Sequence, residues 1–376
     1  MRFSDFVTLQ RGFDLPKTEM QDGPFPVLGS TSVIGKHSEF KVEPPGVVTG
    51  RSGTLGVVQY VDERYWPHNT ALWVKDFKGN DPKFVYYCMQ GLDFARFNAG
   101  AGVPTLNRNH LDSLEVNVPP LPIQRRIAGI LSAYDELIEN NQRRIRILES
   151  MARALYREWF VHFRFPGHEN VKRVPSALGE IPKGWEVKKL GDLIRYNRRA
   201  TKPGPHLEDR RYVPIDCLPP KSLALLEAKP IEEAQSSLQL FEKGDILFGA
   251  MRPYFHKVVV APFPGVTRTT CFVFKPLRPE WHAFATMTAF DEATVAHANA
   301  HSQGATIPYA VWDGSLSEMP LVLPSTEVTQ RFESAAAPML ARLAQSFFAL
   351  GNLRRTRDLL LPRLLSGQIE VEGSAS

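Results

Sequence analysis

The sequence predicts an α+β chain in which two similar mixed α/β domains are separated by two long helices that form an antiparallel coiled coil. Three observations predict it. A series of short patterns recurs in the same order about two hundred residues apart. After each series the hydrophobic period changes from two to about three and a half. With 376 residues and 43% hydrophobic content, the chain is long enough for two or three separate cores.

The repeat opens with Phe3-Ser4-Asp5-Phe6, matched by Leu190-Gly191-Asp192-Leu193, each leading into an apolar run. Pro45-Gly46-Val47-Val48 then corresponds to Lys243-Gly244-Asp245-Ile246-Leu247, a turn feeding a strand. A short helical pattern follows in each half, from Phe84 to Phe97 and from Trp281 to Ala298, and then a Gly-containing turn, at Gly100 to Pro104 and at Gln303 to Pro308. Each half closes on a strand that ends in proline, Leu114 to Pro119 and Met319 to Pro324, where a ladder must stop.

The first long helix is expected to bury Ile127, Ile130, Tyr134, Leu137, Asn141, Ile145, Leu148, Ala152, Leu155 and Trp159, a heptad seam with a stutter near Asn141. The second offers Phe332, Ala336, Met339, Leu343, Phe347, Leu350, Leu353, Leu360 and Leu364, with Arg357 at one seam position and Pro338 expected to kink or restart it. Helices of about 35 to 40 residues reach ~55 to 60 Å, more than a compact domain needs internally. Two seams in one chain bury each other at high effective concentration; separate homodimeric coiled coils are the alternative. Phe165-Pro166-Gly167 ends the first helix, and Ser366 to Ser376 reads as a frayed tail.

Composition narrows the function classes. Lys and Arg number 45 against 40 Asp and Glu, a balance that permits nucleic acid without proving it. The three cysteines, Cys88, Cys217 and Cys271, are scattered without metal spacing and read as reduced thiols of a cytoplasmic protein. No run is long enough to span a bilayer, and Met1 to Asp5 does not open a signal peptide. There is no G-x-x-x-x-G-K-[ST] loop, and Val118-Pro119-Pro120-Leu121 lacks the amide or carboxylate of an adenine methyltransferase motif. Gly50, Gly53 and Gly56 fit either a phosphate cradle or turns between strands, the flanking apolar runs favouring turns.

Pro119-Pro120-Leu121-Pro122-Ile123-Gln124-Arg125-Arg126-Ile127-Ala128, with Leu148-Glu149 and Leu155-Tyr156-Arg157-Glu158-Trp159-Phe160, resembles the central region of type I restriction-modification specificity subunits. Leu178-Gly179-Glu180-Ile181-Pro182-Lys183-Gly184-Trp185 is similar to the start of that family's second target-recognition domain. Pro26 to Gly35 and Gly50 to Gly56 resemble the interior of such a domain. Gln330-Arg331-Phe332 only echoes the first helix start. The resemblance implies target-recognition domains at 1–122 and, with a linker, 166–324, conserved long helices at 123–165 and 325–368, and a tail at 369–376. It also implies a non-catalytic chain that reads a bipartite target in double-stranded DNA, one half per domain. The helices would set the gap and dock two methyltransferase subunits, with restriction subunits joining the assembly. S-adenosylmethionine would bind the methyltransferase subunits and ATP the restriction subunits, leaving this chain without a cofactor. Shortening the first helix by one heptad, about 10 Å, would alter the permitted gap or abolish binding.

DNA contacts are expected from polar and basic residues near the repeat's turns, because Arg, Lys and hydroxyls reach phosphates while base edges carry specificity. The candidates are Ser30, Thr31, Lys36, His37, Arg51, Asn69, Asn107 and Arg108 in the first domain, and Lys202, Arg210, Arg211, Arg252, Tyr254, His256, Lys257 and Arg268 in the second. The bland alternative for each is a solvated charge or a structural polar group. Arg125, Arg126, Arg143, Arg144, Arg146, Arg153 and Arg157 could meet DNA phosphates or acidic partner surfaces but usually mean a solvated helix face, while Tyr156, Trp159 and Phe160 are partner-docking candidates, with a core role the equal alternative for Trp159. Two rivals remain: a metal-dependent nuclease using Asp216, Glu227 and Lys229, and a coiled-coil assembly adaptor that binds DNA without sequence preference.

Overall fold

The computed structural model describes residues 1–98 and 102–371. Gly100 and Ala101 of the expected first turn, and 372–376 of the expected tail, lie outside the described residues. The chain divides into two compact units, Met1–Leu137 with Leu353–Ser376, and Ile138–Asn352. Each unit therefore takes a stretch of both long helices, a division that cuts across the helix segments expected from the sequence.

In the first unit α1 (Phe3–Phe6) leads into β1 (Thr8–Arg11), followed by β2 (Phe25–Leu28), β3 (Val33–His37), β4 (Gly46–Gly50), β5 (Val58–Val61), β6 (Trp66–Pro67) and β7 (Ala71–Asp76). An antiparallel sheet has the order β1-β7-β4-β5, and a smaller one the order β3-β2-β6, with β2 and β6 parallel. α2 (Pro82–Gln90) starts where Asp81 accepts from Phe84 N at 2.9 Å, with Pro82 at the first helical position. It lays Phe84, Val85, Cys88 and Met89, one face of a helix, on β4 and β5.

α3 (Leu121–Tyr156) begins directly after Pro119-Pro120. The family-like Gln124 is buried at this start. Its Oε1 accepts from Asp81 N at 2.9 Å, and its Nε2 donates to Asn80 Oδ1 at 2.8 Å and Pro119 O at 2.9 Å, so one side chain fixes α3 to the cap of α2. The expected strand over Leu114 to Pro119 does not form. Its partner is the short stretch at Met1–Phe3, which supplies Phe3 N to Leu114 O, Val116 N to Met1 O and the Met1 amine to Val116 O, a single bridge at Arg2 and Glu115 instead of a ladder.

The second unit contains the hairpin β8 (Arg173–Ser176) and β9 (Gly179–Pro182), then β10 (Glu186–Lys189), β11 (Ile194–Tyr196), β12 (Ala200–Thr201), β13 (Arg211–Tyr212), β14 (Leu238–Phe241), β15 (Ile246–Gly249), β16 (Val258–Val260), β17 (Gly265–Arg268) and β18 (Cys271–Pro276). α4 (His282–Phe290) is buried from Ala283 to Phe290 and α5 (Glu292–Ala300) follows it. β19 (Pro320–Leu323) pairs with β10, so here the strand before the helix does form, because a four-residue partner exists. The sheet order β11-β18-β15-β16 reproduces β1-β7-β4-β5 strand for strand. The β12-β14-β17-β13 sheet repeats the parallel pair, β13 with β17 standing for β2 with β6. The internal repeat is thus a repeat of topology.

α6 (Thr326–Ser366) runs unbroken through Pro338, which lies exposed on its outer face; the expected restart is absent, because Phe332, Ala336, Leu340 and Leu343 keep both flanking turns packed. Each unit pairs its two helix stretches within the chain. In the first, Ile127, Ala128 and Leu131 share a core with Leu364, and Asp135 meets Arg357 at 2.7 Å, an antiparallel run. In the second, Tyr156 at the end of α3 and Trp159 in the π-helical turn that continues it (Arg157–Val161) meet Phe332 near the start of α6.

The α3 seam differs from the expectation. Gln124, Ala128, Leu131, Asp135, Ile138, Gln142, Ile145, Glu149, Ala152 and Tyr156 face inward, buried or half-buried, in strict alternation of four and three residues, whereas Leu137 is 49% exposed. This is an unbroken heptad pattern without a stutter. Its second position is polar three times in succession, at Asp135, Gln142 and Glu149.

The three cysteines are buried and unpaired, and burial pushes their thiols up, to about 12 for Cys88, about 11 for Cys217 and about 12 for Cys271. Thiols held neutral in this way are poor nucleophiles and poor metal ligands.

Candidate nucleic-acid interface

The turn that follows the second sheet strand is held by the same backbone bonds in both units. In the first unit Arg51 N and Ser52 N both donate to Thr70 O, at 2.8 and 3.1 Å. Gly53 N donates to Pro104 O at 2.9 Å, and Leu106 N to Arg51 O at 2.8 Å. In the second unit Ala250 N and Met251 N both donate to Thr270 O, at 2.8 and 3.2 Å. Arg252 N donates to Pro308 O at 2.7 Å, and Ala310 N to Ala250 O at 2.8 Å. Four equivalent bonds make one clasp, built twice. Gly50 sits too close to Thr54 O for any side chain, and Gly53 and Gly56 have φ of 93° and 90°, so these glycines form the turn.

Side chains around the two clasps differ. Beside the first, a cleft is lined by Gln10, Arg11, Gly12, Phe13, Arg51, Leu72, Thr105, Leu106, Asn107 and Arg108. Three expected contact residues, Arg51, Asn107 and Arg108, meet there. Arg51 Nη1 donates to Asn69 O at 3.2 Å and Arg108 Nη1 to Leu9 O at 3.2 Å, which aims both guanidinium groups while leaving donors free. Asn69 bonds Asp14, and that bond, with Arg11 alongside, holds the Asp14 carboxyl below its usual range. Ser30 Oγ lies 2.6 Å from Ser52 O and 2.9 Å from Thr70 O, so it braces the clasp from beneath. Thr31 and Lys36 are exposed on the β2–β3 hairpin.

At the second clasp Arg252 and Tyr254 lie on the loop itself, Tyr254 exposed. Lys257 Nζ donates to Ile215 O at 2.9 Å. Lys202 and Arg268 fall elsewhere, at one end of the β12-β14-β17 sheet where Thr201, Leu238 and Arg268 align. Lys202 joins Arg198 on the rim of a groove there.

Several expectations are corrected. His37 is buried, accepts from Gln21 N at 3.0 Å and packs edge-on against Trp66, so it is a core histidine. His256 is buried with Nε2 2.8 Å from Phe290 O, and burial pushes its pKa down. Arg210 is committed to Phe241 O, Gly265 O and Glu242, and Arg211 lies over the Phe263 and Phe347 rings. Tyr156, Trp159 and Phe160 are not a docking surface. They are buried in an aromatic cluster in which Phe160 meets Phe284 at 4.6 Å, Phe332 at 4.8 Å and Trp185 at 6.0 Å.

Sequence reasoning missed Arg11, which lines the first cleft, and the pair Val103 and Ile307. Both are exposed and each precedes the clasp proline of its unit. The repeat carried the signal, as Val103-Pro104 and Ile307-Pro308 align. The nuclease grouping does not assemble: Lys229 is paired with Glu233 at 3.1 Å, and among the described residues no group of three or more His, Cys, Asp or Glu could hold a metal.

Residues 1–150 match the family model described as "Type I restriction modification DNA specificity domain". The type I restriction enzyme MjaIX specificity subunit of Methanocaldococcus jannaschii is 24% identical over 310 residues, covering 77% of this chain and 69% of that protein. The MjaVIII specificity subunit of the same organism is 33% identical over 95 residues, 25% of this chain and 22% of that one. In fold, the chain is similar to the crystal structure of a type I restriction-modification S subunit from M. genitalium, with a TM-score of 0.68 and 15% identity, covering 99% of this chain and 96% of that one.

Proposed function

We infer that this chain is a DNA specificity subunit of a type I restriction-modification system, the family whose domain model matches residues 1–150. One observation carries the DNA-reading role: the same backbone clasp occurs in two domains of one topology, with different side chains around it. A common scaffold with divergent loop chemistry suits two unrelated half-sites of one asymmetric target, each read in its own groove segment. Arg11, Arg51, Asn107 and Arg108 are the first-domain readers; Arg252 and Tyr254 are those of the second.

In this reading the chain is non-catalytic and cytoplasmic; no helix among the described residues is long and apolar enough to cross a membrane. S-adenosylmethionine would be held by methyltransferase subunits and ATP by restriction subunits. The test maps methylated adenines in DNA from cells co-expressing this chain and its methyltransferase subunit. Methylation is expected at one split motif and is expected to relax in one half when Arg51 and Arg108 become Ala, each good base contact being worth about 1–3 kcal/mol. Methylation that ignores sequence, or that persists without this chain, would leave the adaptor reading in its place.

The docking surface is reassigned. Ile147, Met151 and Ala154 are exposed on the outer side of α3 at spacings of four and three, a second apolar stripe off the seam. A methyltransferase helix would complete it. Ile147→Asp with Met151→Asp is expected to weaken that assembly at least tenfold in a pull-down titration, while changing stability by no more than about 0.5 kcal/mol. Unchanged assembly would place the docking surface elsewhere.

A further inference from the structure

The loop Arg252–His256 in the second unit carries an inference that rests on the DNA-reading role and deepens it. Arg252 and His256, which bracket a single turn of 3-10 helix over Pro253–Phe255, have φ of 52° and 53°. Lys221 has φ 55°, and its N donates to His256 O at 2.7 Å. Of the six non-glycine residues with positive φ among the described residues, three therefore meet at this loop. Strain of this kind persists only where surrounding structure enforces it, and it concentrates at functional sites.

The enforcement is visible. The clasp bond from Arg252 N to Pro308 O fixes one end, while His256 Nε2 with Phe290 O and Lys221 N with His256 O fix the other. Between them Tyr254 and Phe255 project outward, 50% and 45% exposed, with ring centroids 4.7 Å apart. An exposed aromatic pair on a mobile loop would fold back to shed water; this one is held out. Arg252 at its base and the exposed Lys221 at its far end supply positive charge on both sides. The equivalent loop of the first unit reaches the same turn with Gly53 and Gly56, and between them holds Thr54 and Leu55 instead of aromatic rings.

We propose that Tyr254 and Phe255 form a rigid aromatic wedge that inserts between base pairs of the half-site read by the second domain, unstacking one step while Arg252 and Lys221 hold the flanking phosphates. Apolar and aromatic side chains inserted in this way partly unstack a step and kink the duplex, and every base offers a π-face to a ring. The second half-site would then be selected partly by how easily its step deforms.

The test uses the full-length chain and duplexes carrying its target, with 2-aminopurine placed at successive positions across both halves. Fluorescence is expected to rise at one step of one half-site. In the Tyr254→Ala, Phe255→Ala double variant that rise is lost and target affinity falls about tenfold, with recognition of the other half retained. Tyr254→Phe keeps the rise. A rise that survives in the double variant, or a specific complex with no rise anywhere, overturns the wedge and leaves the DNA-reading role standing. Absence of any sequence-specific complex overturns both. Unchanged DNA affinity with weakened methyltransferase assembly overturns the wedge by making the aromatic pair a protein contact.

Discussion

Phe160→Ala is expected to lower the stability of the chain by about 3–5 kcal/mol, the cost of emptying a large aromatic from a core that cannot collapse. Phe160 has ring neighbours on every side: Phe284 and Phe332 within 5 Å, Tyr156 at 5.4 Å, Trp185 at 6.0 Å and Trp159 at 6.2 Å. These neighbours are locked by one another, since Trp185 stacks on Phe165 at 5.0 Å and Tyr156 Oη lies 3.2 Å from Thr288 Oγ1. The void would therefore persist. Urea unfolding checks this, with Phe160→Leu expected to lose less than half as much. The result also decides between the two readings of this residue. A docking residue replaced by Ala would leave the unfolding midpoint in place and weaken only the assembly; a loss below about 1 kcal/mol would reinstate that reading.

The aromatic run at the end of α3 shows what sequence alone could resolve. Tyr156, Trp159 and Phe160 are spaced for a helix face, but the face is covered by Phe284, Phe332 and Trp185, residues distant in the chain and unmarked by local pattern. The repeat was legible because both copies keep their turns and strands in order. The clasp was legible only in part, since backbone donors carry no sequence signature beyond the Gly53 and Pro104 that permit them. Arg51, Asn107 and Arg108 converge because their turns do, whereas Lys202 and Arg268 lie on another sheet.

The heptad seam went wrong for a physical reason. Reading a seam from apolar residues assumes that the buried stripe is apolar throughout, and here Asp135, Gln142 and Glu149 occupy it. An apolar-only stripe runs through Leu137 and requires a stutter to reach Ile145. Asp135 and Glu149 have partners that only the tertiary structure supplies. Arg357, an apparent flaw in the α6 seam, meets Asp135, which also accepts from Tyr87 Oη at 2.6 Å.

Glu149 gives the second large effect. It is 7% exposed, and its Oε1 accepts from Ser222 Oγ at 2.6 Å, Leu223 N at 2.8 Å and Ala224 N at 3.2 Å. Leu223 and Ala224 are themselves buried, and Leu223 O accepts from Val260 N on the edge strand β16, so one carboxylate joins α3 to the sheet within the second unit. Glu149→Ala removes the acceptor, leaving the buried Leu223 N without a partner and Ala224 N with only Ser222 Oγ at 3.3 Å; an unmet buried donor costs about 1–3 kcal/mol, and with the lost charge-assisted bonds the total is roughly 2–4 kcal/mol. Glu149→Gln keeps an oxygen at the same place and loses only the charge-assisted share of the bonds, about 1–2 kcal/mol. Hydrogen exchange separates these effects from general loosening. In the Ala variant the Leu223 and Ala224 amides should lose protection well before those of β15 and β18, and in the Gln variant they should stay protected. If Gln proved as damaging as Ala, the role of Glu149 would lie in its charge, and the heptad position would be polar for a reason other than satisfying the 222–224 segment.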